Sequence, residues 1–239
     1  MSDDFSEFMA RREPTGDRPL LGLTVLVVED SRFASEAMRL LCLHSGARIR
    51  RADCLRSARK HLQCYRPTVV IVDLGLPDGS GIDLIRDLAT MSPRIPVLLG
   101  TSGDALTEPA VLAAGADGFQ AKPIESLANF QQKVLGSLPA STRPVLRGVP
   151  RDDQIMPDPI ALRDDLCHVA DILGNKPDAA TLGYIAQFLT GVARSAHDAP
   201  LQAAAEALAR EQHAGHGLAR PLSQINGLVQ ERLAAQAQI

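Results

Sequence analysis

Residues 70–85 read VIVDLGLPDGSGIDLI. With Thr68 and Val69 before it, the opening run is a short β-branched apolar stretch that predicts a strand over Thr68–Asp73. The LPDGSG segment that follows is turn chemistry, and Ile82, Leu84 and Ile85 then open a stretch of helical period over Gly81–Thr90. A strand ending in a carboxylate and feeding a helix is half of a βαβ unit, so the flanks should show the same alternation.

They do. Upstream and downstream, short apolar runs predict strands at Thr24–Glu29, Ala47–Arg51, Pro96–Thr101 and Gly118–Ala121. Helical spacing is found at Arg32–His44, Leu55–Tyr65, Glu108–Ala114 and Ser126–Leu138. Strict alternation of five strands and five helices implies an α/β fold, a doubly wound five-stranded parallel sheet over residues 21–138. Residues 1–20 read as a polar arm in which Phe5, Phe8 and Met9 suggest a short docking helix. Residues 139–158 are rich in proline, a linker by composition.

The remaining residues, 159–239, predict an all-α helical bundle as a second domain. Apolar residues recur every three or four positions at Ile160–Leu173, Ala179–Ala196, Leu201–Gln212 and Leu218–Ala237, interrupted by GNKPD, HDAP and HAGHG. Stripes such as Ile185, Phe188, Leu189 and Val192 can build a bundle within one chain or a homodimer between two.

With 239 residues, a net charge of -3 and 45% hydrophobic content, the composition is that of an ordinary protein of two domains. No apolar run approaches the roughly 20 residues of a membrane helix, and the start lacks the pattern of a signal peptide, so a cytoplasmic location is expected. The four cysteines form no C-x-x-C pair and predict free thiols rather than a metal site or disulfide.

Ligands of a doubly wound sheet sit beyond the carboxyl ends of its strands. There the sequence places Glu29 and Asp30 after the first strand, Asp73 after the third and Thr101 after the fourth. Three carboxylates at one edge repel each other unless a cation lies among them, and hard oxygens suggest Mg²⁺. Lys122, after the fifth strand, brings a compact positive charge within reach of the same pocket, and Pro123 permits a cis bond that would aim it inward.

Four stretches, LVVEDS (26–31), VIVDLGLPDGSGIDLI (70–85), PVLLGTSG (96–103) and GADGFQAKPI (115–124), carry a family resemblance. From about Gly22 to Leu138 the chain resembles the receiver domain of two-component response regulators, the chemotaxis regulators among them. The resemblance implies Asp73 as phosphoacceptor, Glu29, Asp30, Asp73 and the Gly75 carbonyl as Mg²⁺ ligands, and Thr101 and Lys122 on the phosphoryl oxygens. It further implies that Phe119 turns inward as Thr101 moves, reshaping the surface of the fourth helix, fifth strand and fifth helix. A sensor histidine kinase or phosphotransfer protein would be the donor. Gly75 and Gly103 leave little bulk beside the phosphoryl site, which predicts easy access of water and a short-lived phosphoaspartate.

Many response regulators end in a DNA-binding domain. Residues 151–239, however, hold seven Lys and Arg against eleven Asp and Glu, with no basic cluster, so DNA is not expected as partner. No enzymatic signature is visible in this half. His168, His197, His213 and His216 raise the alternative of a phosphotransfer module, and HGLARPL from His216 resembles a kinase H-box. Its acidic position is Gly217, which removes the general base. The expected function is a response regulator that is not an enzyme, whose phosphorylated receiver switches a helical module toward a downstream protein; a transcription regulator and a phosphorelay intermediate are the alternatives.

Overall fold

The computed structural model describes residues 13–144, 153–175 and 177–236. The expected docking helix around Phe5, Phe8 and Met9 lies outside the described residues.

Five parallel strands, β1 (Thr24–Val28), β2 (Arg48–Ala52), β3 (Val69–Asp73), β4 (Val97–Ser102) and β5 (Gly118–Ala121), form one sheet in the order β2-β1-β3-β4-β5. Helices α1 (Arg32–His44), α2 (Leu55–Cys64), α3 (Gly81–Ala89), α4 (Glu108–Ala113) and α5 (Leu127–Ser137) connect and flank them. The sequence placed all ten within two residues of these bounds. β3 is buried at every position, as a central strand covered on both faces must be, whereas β2, at the edge, carries three arginines. One face of the sheet packs Val25, Val27, Ile71 and Leu99 against Met38, Leu41, Phe130 and Val134. The other packs Leu26, Val70, Val72 and Leu98 against Leu55, Leu84, Ile85 and Val111.

The core extends past the expected domain edges on both sides. Leu20, expected in the arm, is fully buried, and its amide donates to the Ser45 carbonyl at 2.9 Å. Ile155, expected in the linker, is buried beside Leu127 and Phe130. The Ile155 amide donates to the Glu125 carbonyl at 2.9 Å, and that of Leu127 to the Asp153 carbonyl at 3.1 Å. A short strap thus runs along the start of α5.

Four more helices follow: α6 (Pro159–Gly174), α7 (Ala179–Ser195), α8 (Ala199–His213) and α9 (Ala219–Gln236). The first three start on aspartate caps, Asp158, Asp178 and Asp198, each of which accepts an amide of its own first turn. α7 packs on α8, α8 on α9, and α9 back on α6, around Leu166, Val169, Ile185, Leu189, Leu208, Ile225 and Val229. The stripe of Ile185, Phe188, Leu189 and Val192 is therefore spent inside one chain. No helix among the described residues is long and apolar enough to cross a membrane.

Candidate phosphoacceptor site

The sheet order reverses direction between β1 and β3, and the crevice opens there. β1 delivers Glu29 and Asp30, and β3 delivers Asp73, paired in register with Thr101 of β4. The carboxylates of Glu29, Asp30 and Asp73 offer oxygens that all lie within 4.8 Å of one another. Lys122 Nζ stands 2.6 Å from Glu29 Oε2 and 2.8 Å from Asp73 Oδ1. Its backbone is pinned by the Lys122 amide donating to the Ser102 carbonyl at 2.9 Å, and the Lys122–Pro123 bond is cis. Asp73 Oδ2 accepts the Gly75 amide at 3.1 Å. The buried Thr101 hydroxyl has no hydrogen-bond partner among the described residues.

Burial, with repulsion from Asp73 and Asp30, pushes the Glu29 carboxyl up to about 8 against the pull of Lys122. Burial and Asp73 likewise push Asp30 up to about 7, although a hydrogen bond from Tyr184 opposes the rise. Burial disfavours the Lys122 charge, but Asp73 and Glu29 outweigh it and hold the ammonium well above its usual range. With all three acids ionised, one ammonium leaves excess negative charge, and the donor set is hard oxygen, which suits a divalent cation such as Mg²⁺ that displaces their protons.

Of the residues singled out from the sequence, Glu29, Asp30, Asp73 and Lys122 therefore line one pocket, and the buried Thr101 pairs in register with Asp73 on the neighbouring strand. Phe119 is already buried, in the cluster with Val111 and Ile85. The family model described as the response regulator receiver domain matches residues 25–134. This part of the chain is a response regulator receiver domain.

Among curated proteins, the receiver's relatives include the KDP operon transcriptional regulatory protein KdpE of Escherichia coli, 32% identical over 142 residues, covering 59% of this chain and 58% of the relative. The virulence transcriptional regulatory protein PhoP of Salmonella typhimurium is 35% identical over 102 residues, covering 42% of this chain and 46% of its own length. The chain thus spans about half the length of the curated relatives it matches. A solved receiver domain of a signal transduction histidine kinase from Syntrophus aciditrophicus is 25% identical and covers 52% of this chain and 96% of its own, with a TM-score of 0.46. Chemotaxis response regulator CheY4 of Vibrio cholerae is 21% identical, covering 48% and 98%, with a TM-score of 0.44. Because both curated relatives are named as transcriptional regulators, the expectation against DNA, drawn from the charge of the helical half, finds no support in them.

The receiver site has further neighbours that the sequence did not suggest, all from the helical half. Asp165 of α6 accepts from Ser31 Oγ at 2.7 Å, the Arg32 amide at 2.8 Å and the Phe33 amide at 3.1 Å, sealing the N-terminus of α1. Asp164 pairs with the Arg32 guanidinium. Tyr184 of α7 donates its hydroxyl to Asp30 Oδ2 at 2.7 Å. Gln187 lies against Gly75, and Gly191 and Arg194 lie against Gly103. One signal was available: Asp165 falls on the apolar stripe of Leu162, Leu166 and Val169, where an acid needs partners.

Two of the histidines weighed for phosphotransfer lie elsewhere. His197 occupies the left-handed position (φ 55°) that ends α7, with its amide donating to the Arg194 carbonyl and that of Asp198 to the Ala193 carbonyl, and its imidazole faces Glu125 at 3.3 Å. His216 pairs with Glu211 at 2.7 Å in the turn after α8. Neither lines the cleft at Asp73; His213 does.

Proposed function

We propose that the chain is a response regulator that accepts a phosphoryl group on Asp73 from a histidine kinase or phosphotransfer protein, and that this switches the helical half. One observation carries the reading: a buried acceptor carboxylate sits against Lys122 at 2.8 Å, with two further acids beside it and the unpartnered Thr101 hydroxyl on the paired strand. Glu29, Asp30, Asp73 and the Gly75 carbonyl would hold Mg²⁺, which supplies charge neutralisation to the transferring group. Asp73 Oδ is the nucleophile, while Lys122 and Thr101 receive the phosphoryl oxygens. Drawing Thr101 toward the phosphoryl group would open space beside Phe119. The bond from Tyr184 to Asp30 gives the helical half a second, direct line to the site.

Exposing wild type and Asp73→Asn to acetyl phosphate with Mg²⁺ tests this. Wild type should take up about one phosphoryl group and Asp73→Asn none. Equal incorporation in both would refute the assignment. A DNA-binding output is the second reading, favoured by the names of the relatives. Salt-dependent retention of the full chain on duplex DNA supports it, and indifference to DNA at low salt removes it.

A further inference from the structure

α7 crosses the mouth of the phosphoacceptor pocket with one face, Tyr184, Gln187, Gly191 and Arg194, three or four residues apart. Tyr184 holds Asp30 at 2.7 Å, and the far end of this face rests on Gly103. At its centre is Gln187, whose carboxamide occupies the place a side chain on residue 75 would take. The Gly75 amide is the group that donates to Asp73 Oδ2 at 3.1 Å, so the carboxamide lies against the residue that holds the acceptor carboxylate. A cleft of about 780 Å³ is lined by Asp73, Lys122, Gln187, Arg194 and Arg210 among others. That volume admits water freely.

Gly75 and Gly103 leave space beside the phosphoryl site, and α7 occupies it.

A carboxamide neither titrates nor accepts a phosphoryl group, so this helix position cannot relay phosphate. It does offer a donor and an acceptor together, which is what holding a water for attack on phosphorus requires. We propose that Gln187 positions the water that hydrolyses the phosphorylated Asp73, so that the helical half shortens the signal of its own receiver. This rests on Asp73 as the acceptor. In the step, the water oxygen bonds to phosphorus and the bond between phosphorus and Asp73 Oδ breaks. The carboxylate leaves with the electron pair, and the water proton departs on the inorganic phosphate. Nothing is oxidised or reduced.

The test uses the full chain loaded with acetyl phosphate and Mg²⁺, freed of donor by rapid desalting, with the remaining phosphoprotein followed over time. Gln187→Ala and Gln187→Met should both lose the phosphoryl group at least about 10-fold more slowly than wild type. Met fills the same volume and keeps α7 in place without the hydrogen bonds. A wild-type rate in Gln187→Met would therefore assign Gln187 to packing and overturn the proposal, as would rates within about 2-fold for both variants. In ¹⁸O-water the label should appear in the released phosphate; label in Asp73 instead would contradict attack at phosphorus. A wild type that never takes up phosphoryl defeats the acceptor assignment itself, a result distinct from unchanged loss rates.

Discussion

Removing the carboxylate of Asp165 should undock the helical half and leave both halves folded. Asp165 is 2% exposed and accepts three hydrogen bonds from residues 31–33. Bonds to a charged acceptor contribute about 1.5–3 kcal/mol each, while burying the carboxylate costs several kcal/mol. Burial is the larger influence on the carboxyl, raising it above the usual range despite the amides of Phe33 and Arg32 and the Ser31 hydroxyl. The net loss in Asp165→Ala is then about 2–4 kcal/mol, or roughly 30- to 1000-fold in the ratio of docked to undocked forms. Once undocked, the α1 amides bind water as any exposed helix start does, so the loss falls on docking rather than on folding. The assay reads a distant part of the interface. The chain has two tyrosines and no tryptophan, and burial together with Asp30 holds the Tyr184 phenol far above its usual range. Undocking should return that phenol to near 10 in a spectrophotometric titration and enlarge the scattering radius. If Asp165→Ala changes neither, the joint does not depend on Asp165 and the argument fails.

Two further outcomes follow from the site and the core. Mg²⁺ should bind more tightly as pH rises from about 6 to 8, with proton release, because Asp30 and Glu29 are held up at about 7 and about 8 and a cation must displace their protons. Calorimetry in two buffers of different ionisation heat checks this, and equal affinity at both pH values with no proton release would contradict it. Gly81→Ala should cost about 3 kcal/mol or more in urea unfolding, since its Cβ would strike the Asp73 carbonyl, a backbone atom with nowhere to go. Gly136→Ala in α5 meets nothing within 4 Å and should be neutral or stabilising by up to about 1 kcal/mol; similar losses in both would refute the steric account.

The receiver was legible because its signals are local. β3 declares itself by an unbroken apolar run and α1 by periodicity, and parallel topology then brings the polar strand ends together without further information. The docking of the halves is of another kind. Tyr184 meets Asp30 across 154 residues and Asp165 meets Ser31 across 134, and neither pair leaves a periodic trace. Tyr184 and Gln187 fall within a helical stretch of which only the stripe of Ile185, Phe188, Leu189 and Val192 stands out in the sequence. Leu20 and Ile155 were missed for a related reason: each is a single apolar residue in a polar stretch, where composition outweighs it. Of the histidines weighed for phosphotransfer, His197 ends a helix and His216 pairs with Glu211 in a turn, whereas His213 lines the cleft.

The strap at Ile155 has a consequence for how the two halves communicate. Residues 156–158 alone separate this buried anchor from the start of α6. Three residues reach about 10 Å at full extension. A released bundle therefore swings on a hinge beside the crevice and stays at an effective concentration on the order of millimolar or above. Opening and reclosing are first-order events, set within each molecule and indifferent to how much protein is present. Any partner approaching the crevice must outcompete a neighbour that never leaves.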